Sequence, residues 1–111
     1  MKASTAVTML AALAQETRLS VFRLLVQAGS EGLSAGDLSK KLSVPAPTLS
    51  FHLKELMTAK LANSRQEGRF VFYSAVFTQM NSLLEYLTEN CCGGVPCFPK
   101  SACRTAEKET A

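Results

Sequence analysis

Thiols, histidines and long apolar runs are scarce in most of this 111-residue sequence. No cysteine occurs before position 91, and His52 is the single histidine. The sequence has no Cys-x-x-Cys pair beside a βαβ pattern and no second histidine, so a thiol oxidoreductase or a metalloid reductase is not expected. No apolar run approaches the length of a membrane span. These absences argue against an enzyme with a small-molecule substrate and against a membrane protein.

The N-terminal stretch from Ala3 to Ala14 is small and apolar, as it is in a secretory signal. Thr5 and Thr8 interrupt the stretch, however, and the helical pattern of apolar residues continues beyond it. We therefore predict a cytoplasmic protein, in which thiols stay reduced. The length suits one folded domain, which we place at residues 1–92, with a flexible cysteine-containing tail at 93–111.

Helical and strand patterns succeed each other in a recognisable order. Apolar spacing predicts short helices over Val7–Ala14, Glu16–Ala28, a segment ending at Leu42, Pro47–Lys60 and Phe77–Asn90. Ser34, followed three residues later by Asp37, is a predicted N-cap. Two strands, Ala62–Ser64 and Phe70–Ala75, flank a turn at Gln66–Arg69. This order predicts a mainly α fold with a small β-hairpin, the winged helix-turn-helix.

The helix that starts at Pro47 is suited to enter the major groove of DNA. Its stripe of leucines would anchor it and leave the opposite face free. Six basic residues against three acidic ones between positions 34 and 74 add a modest positive field. Small hydroxyls reach phosphates and base edges, and arginines of a wing reach the backbone or the minor groove. The candidate DNA contacts are Pro47, Thr48, Ser50, Phe51, His52, Lys54, Arg65 and Arg69.

The motif and two of these residues have alternative interpretations. Helix-turn-helix geometry also occurs in proteins that bind no DNA. His52 is either a phosphate donor or an exposed or capping histidine. Phe51 is apolar for a DNA-facing position, so it either touches a thymine methyl group or packs against the wing.

Three segments together resemble the ArsR/SmtB family of metal-sensing repressors. They are Ala14–Leu19 followed by Phe22 and Leu25, Pro47–Leu56, and Glu67–Tyr73. The resemblance spans roughly residues 7–90. It implies a dimeric winged helix that binds operator DNA as a homodimer and releases it when an ion binds. It also implies that Thr48, Ser50 and His52 contact DNA.

Members of that family hold their ions in different elements. One site uses a Cys-x-Cys pair on the first helix of the DNA-reading motif, and Leu33–Leu38 contains no thiol. Another binds zinc through Asp and His on the last helix, which here offers only Thr, Asn and Glu. The remaining candidate ligands are clustered near the C-terminus: Cys91, Cys92, Cys97 and Cys103.

Such clustered thiolates suit a soft ion. Trivalent arsenic and antimony prefer three sulfurs in a pyramid, and Cys91, Cys92 and Cys97 are the minimum set, with Cys103 as a third or fourth ligand from either subunit. We therefore expect As(III) or Sb(III) to be the inducer, without deciding between them or a methylated arsenical. A four-cysteine zinc or cadmium site fits the Cys-Cys spacing less well. Thiol oxidation and a disulfide-bonded tail are further alternatives.

The expected mechanism is derepression. The cysteines begin where the last helix ends, and we expect that helix to pair with the first helix across a dimer. Ion capture would reshape the interface and change the spacing of the two recognition helices. A protein that only stores ions would need neither recognition helix nor wing. The predicted interface residues are Val7, Leu10, Ala11, Met80, Leu83, Leu84 and Leu87.

Overall fold

The computed structural model describes residues 1–94, with the backbone alone at Cys92. Its helices are α1 (Ala3–Leu13), α2 (Glu16–Ala28), α3 (Ala35–Leu42), α4 (Ala46–Thr58) and α5 (Phe77–Leu87), and its strands are β1 (Leu33–Ser34), β2 (Ala62–Glu67) and β3 (Phe70–Ala75). Short 3-10 turns lie at Gly29–Glu31 and Cys91–Gly94. The predicted mainly helical winged helix-turn-helix is confirmed. Cys97, Cys103 and most of the tail predicted at 93–111 lie outside the described residues.

Element ends differ from the predictions in ways that local geometry explains. Helix α1 begins four residues earlier than predicted, at Ala3. Helix α4 ends at Thr58 because Lys60 adopts a left-handed conformation with φ of 64°. Helix α5 ends at Leu87, before Asn90, which has φ of 60°. Strand β2 extends to Glu67, so the predicted four-residue turn shortens to two residues.

Side-chain caps set the starts of α2 and α3. The Oε1 atom of Gln15 accepts from the backbone N–H of Arg18 at 2.8 Å. The Oγ atom of Ser34 accepts from the backbone N–H of Asp37 at 3.1 Å, which confirms the predicted cap. Both bonds satisfy helix N–H groups that have no partner within the helix.

The sheet has three strands in the order β1-β3-β2, all antiparallel. Strand β1 was not predicted, because two residues are too few to show an alternating pattern. The wing is the β2–β3 hairpin, closed by Gly68 and Arg69, with Glu67 opposite Phe70. Gly68 has φ of 64° at the first central position, a conformation that glycine adopts without strain.

The hydrophobic core fixes α4 in place. Leu49, Leu53 and Leu56 are at most 1% exposed, so the predicted stripe is buried, with Met57 half-buried beside it. The other fully buried side chains come from α1, α2, α3 and the residue before β2: Met9, Val21, Leu25, Leu38 and Leu61. Since α1, α2 and α3 all pack around the leucine stripe, the opposite face of α4 is left facing solvent.

Candidate nucleic-acid interface

The solvent-facing side of α4 carries most of the predicted DNA contacts. Pro47 lies in its first turn, where a missing N–H costs nothing. Phe51 is 56% exposed, with its ring centroid 5.5 Å from that of His52 in an edge-to-face arrangement. The exposed residues of this face are Pro47, Thr48, Ser50, Phe51 and Lys54. The structure thus gathers them on one accessible surface, and their contacts with DNA stay predictions.

His52 lies inside the protein and not on that surface. Its side chain is 8% exposed, and its Nδ1 atom is 3.2 Å from Nη1 of Arg18. Burial lowers the pKa of His52 below its ordinary value of 6.5; the Arg18 guanidinium lowers it further and Glu55 opposes the shift. A neutral, inward-facing ring differs from the predicted phosphate donor on the flank of the helix. Helical spacing alone placed His52 at the edge of the apolar stripe. The contact with Arg18 on α2 decides that its ring faces the protein and not the solvent.

The two wing arginines have different surroundings. Arg65 donates through Nε to Oε2 of Glu67 at 2.7 Å, and through Nη2 to the carbonyl oxygen of Glu31 at 2.8 Å. Its guanidinium carbon also lies 5.2 Å from the ring centroid of Phe72. These contacts attach β2 to the 3-10 turn after α2. They also occupy the guanidinium N–H groups that were predicted to contact DNA. Arg69, exposed at the turn, makes no hydrogen bond or ion pair to another described residue.

A second surface, on α1 and α5, is apolar and exposed. The helices contact each other within the protomer. Val7 and Leu87 are 63% and 53% exposed, and Leu10, Ala11 and Leu84 are also exposed. Two other predicted interface residues are less accessible in the protomer: Leu83 is 5% exposed and Met80 is half-buried against the core. The α5 pattern could not separate residues that pack inward from those left for a partner.

The described cysteines lie shortly after α5, separated from it by the turn at residues 88–90. Cys91 and Cys92 lie in the 3-10 turn Cys91–Gly94, and the backbone N–H of Cys91 donates to the carbonyl oxygen of Thr88 at 3.0 Å. Within residues 1–94, no three His, Cys, Asp or Glu residues are grouped so as to hold a metal ion. Cys97 and Cys103 would have to complete any such set, and they lie outside the described residues.

Arg18 and Gln15 were not among the predicted site residues. Gln15 caps α2 through the backbone N–H of Arg18, but glutamine is not among the residues preferred at this position, so no signal in the sequence indicates it. The contact between Arg18 and His52 joins residues 34 positions apart, and no local pattern indicates it.

Comparison with known proteins identifies the fold family. A helix-turn-helix domain family matches residues 13–65, from the end of α1 into the wing. The transcriptional activator HlyU of Vibrio cholerae is 37% identical over 82 residues, which are 74% of this chain and 73% of HlyU. A solved structure of HlyU superposes with a TM-score of 0.66 at 34% identity, covering 83% of this chain and 99% of that one.

This chain is a helix-turn-helix transcriptional regulator of the family to which HlyU belongs.

More distant structures show the same regulator fold. An ArsR-like transcriptional regulator from Rhodococcus sp. RHA1 superposes with a TM-score of 0.71 at 22% identity, covering 97% of this chain and 95% of that one. The homodimeric winged helix-turn-helix domain Mb0332 of Mycobacterium bovis gives 0.63 at 21% identity, covering 78% and 81%. No helix within residues 1–94 of the regulator has the length and apolar character required to cross a bilayer.

The contrast between Arg69 and Arg65 predicts different effects on DNA binding by the regulator. An arginine that neutralises one phosphate releases about 0.9 counterion. We expect Arg69→Ala to weaken binding roughly fivefold at about 0.15 M salt and to lower the salt slope by about 0.9. Arg65→Ala is the matched control, and it should change the slope much less because Glu67 already neutralises that charge. Fluorescence anisotropy across a salt series measures the affinity and the salt slope of each variant. Equal slopes for the two variants would contradict a phosphate contact by Arg69.

Proposed function

We propose that this regulator is a cytoplasmic, homodimeric repressor that binds operator DNA and releases it when arsenite or antimonite binds its C-terminal cysteine thiolates. The observation that carries the proposal is the position of the thiols. Cys91 and Cys92 follow the last turn of α5, the helix that presents Leu84 and Leu87 to solvent. A ligand held at this position acts at the edge of the apolar α1–α5 surface.

DNA binding is supported by the exposed face of α4 and by the wing beside it. A recognition helix with small hydroxyls and one lysine, Lys54, can approach base edges and phosphates. Arg69 adds an exposed cation at the turn of the hairpin. The relatives described above are named as transcriptional regulators, which agrees with this use of the fold.

Dimerisation is supported by the exposed side chains Val7, Leu10, Leu84 and Leu87. Apolar side chains grouped on one face are typical of surfaces that a partner covers. A two-fold dimer would place two copies of α4 on successive half-sites of an operator. The domain of Mb0332, which has the same fold, is described as homodimeric.

The choice of inducer follows from the chemistry of sulfur. Thiolates select soft ions, and a lone-pair ion such as As(III) or Sb(III) needs three of them. Cys91 and Cys92 would supply two sulfurs, and Cys97 or Cys103 the third. Gly93, with φ of 69°, allows the backbone to reverse directly after the pair.

Thiol oxidation is the second candidate for the signal. One of the solved HlyU structures, 34% identical over 80% of this chain and 90% of that one with a TM-score of 0.62, is described as reduced HlyU. That description is the reason for keeping the redox alternative beside ion capture. In this chain the same four cysteines would serve, with disulfide formation replacing ion capture.

Selection from a random duplex library by the purified protein, followed by titration of the selected duplex, tests the proposal. We expect a two-fold symmetric site to be enriched, and arsenite or antimonite to weaken its binding about 5- to 150-fold. A phosphine reductant is required, because a dithiol would compete for the metalloid. In a separate titration without reductant, release by diamide but by no metalloid would favour the redox alternative, and release by zinc alone would favour a tetrahedral site. A reporter gene then distinguishes repression from the activation for which HlyU is named.

A further inference from the structure

The guanidinium of Arg18 connects its own helix, α2, to α1 and to α4. Nε of Arg18 donates to the carbonyl oxygen of Ala12 in α1 at 2.7 Å. Its Nη1 donates to Nδ1 of His52 in α4 at 3.2 Å. The backbone N–H of Arg18 is itself held by Gln15 at the start of α2. The backbone of Arg18 is therefore held by Gln15, and its guanidinium is bonded to both α1 and α4.

Direct packing does not fill the space that Arg18 crosses. An open groove of about 400 Å³ lies between α1 and α4 along this edge. Its lining combines small residues of α1 with polar residues of α2 and α4: Val7, Thr8, Ala11, Ala12, Arg18, Glu55, Thr58 and Ala59. The two bonds of Arg18 therefore add a polar connection across this groove, beside the direct contacts that α1 and α4 make in the core.

The bond to His52 requires a neutral ring. Arginine only donates, so Nδ1 must accept through its lone pair, and the ring's proton is on Nε2. Protonation of Nδ1 would remove the acceptor and place two cations 3.2 Å apart. The charged groups that act on the ring are Arg18 on α2 and Glu55 on α4, and the α1 segment Ala3–Leu13 contains no charged residue.

We propose that Arg18 is a positioning residue for DNA recognition, which holds α4 at a set angle to α1 through the neutral ring of His52. The inference rests on the proposed DNA-binding function. Helix α1 carries part of the apolar surface assigned to the dimer, and α4 carries the DNA-facing residues. The angle between them therefore sets the distance between the two recognition helices of a dimer. An operator with two half-sites depends on this distance, and a single half-site does not.

The first test compares Arg18→Lys with the wild-type protein on two duplexes. One is the full symmetric site selected in vitro by the wild-type protein, and the other contains one half-site. A lysine keeps the charge but lacks the fork that bonds Ala12 and His52 together. We expect full-site affinity to fall about tenfold and half-site affinity to change less than about twofold. Circular dichroism at the assay temperature establishes that the variant is folded.

The second test uses pH and needs no substitution at Arg18. Because the pKa of His52 is lowered in the folded protein, the neutral ring favours folding above about pH 6.5, and that contribution is lost as the pH falls through the folded pKa. We expect the ratio of full-site to half-site affinity to be constant above about pH 7 and to fall as the pH is lowered below 6.5 through the folded pKa of His52. His52→Asn offers an oxygen acceptor near the position of Nδ1 and does not titrate, so its ratio should stay high and constant.

The outcomes are distinguishable. If His52 contacted phosphate directly, protonation would strengthen binding to both duplexes, the opposite sign. A wild-type ratio independent of pH, or an Arg18→Lys variant with wild-type affinity for the full site, would overturn the positioning role while leaving DNA binding intact. Failure of the wild-type protein to enrich any duplex would overturn the proposed function, and this inference with it.

Discussion

Replacing Cys91 and Cys92 together by serine is expected to abolish the release of DNA by arsenite or antimonite. Serine has nearly the shape of cysteine, but its hydroxyl is a hard, neutral ligand that does not hold a soft trivalent ion. In the wild-type protein, we expect the metalloid to weaken operator binding by about 5- to 150-fold, corresponding to a coupling free energy of about 1–3 kcal/mol. In the double variant this factor should fall to about one. Anisotropy titrations with the selected duplex, with and without metalloid, measure it.

The single variants Cys97→Ser and Cys103→Ser serve as matched comparisons. If a single variant still releases DNA when metalloid is added, the cysteine it lacks is not the essential third ligand. DNA affinity without metalloid should be the same in all variants, because the turn Cys91–Gly94 follows the helices that form the core. Undiminished release from the double variant would show that the inducer binds elsewhere. A response lost together with DNA affinity would show that the cysteines support the fold and not a ligand.

Replacing Gly32 by alanine is expected to unfold much of the protein. Gly32 precedes β1 with φ of 75° and ψ of −168°, a region that is essentially restricted to glycine. A Cβ atom built there would overlap the carbonyl oxygen of Tyr73, the β3 residue paired with Leu33. Relief requires movement of the sheet backbone. We expect a loss of roughly 4 kcal/mol or more, a large part of the stability of a small domain.

Gly29 provides the matched control for that substitution. Its backbone is similar, with φ of 73° and ψ of −155°, but nothing lies within 4 Å of the Cβ position. Gly29→Ala should therefore cost only the backbone strain, about 1–3 kcal/mol. Urea unfolding followed by circular dichroism compares the two. Equal losses would show that the strand at Tyr73 moves aside easily, and that β1 contributes little to holding the wing.

Local patterns predicted the helices well wherever packing followed periodicity. The spacing of Leu49, Leu53 and Leu56 places them on one side of α4, and the core covers that side. The Ser34 cap was predictable because its partner, Asp37, is three residues away. The exposed positions of Thr48, Ser50 and Lys54 follow from the same geometry.

By itself, the sequence determined the helical class, the wing and the face of α4 that meets solvent, because each depends on residues within one or two helical turns or on a hairpin. The tertiary structure decided what residues far apart in the chain do to one another. It turned His52 toward Arg18, engaged Arg65 with the carbonyl oxygen of Glu31, and buried Leu83 in the protomer. A side chain at the edge of an apolar stripe faces inward only if another element supplies a partner, and that depends on how the helices cross.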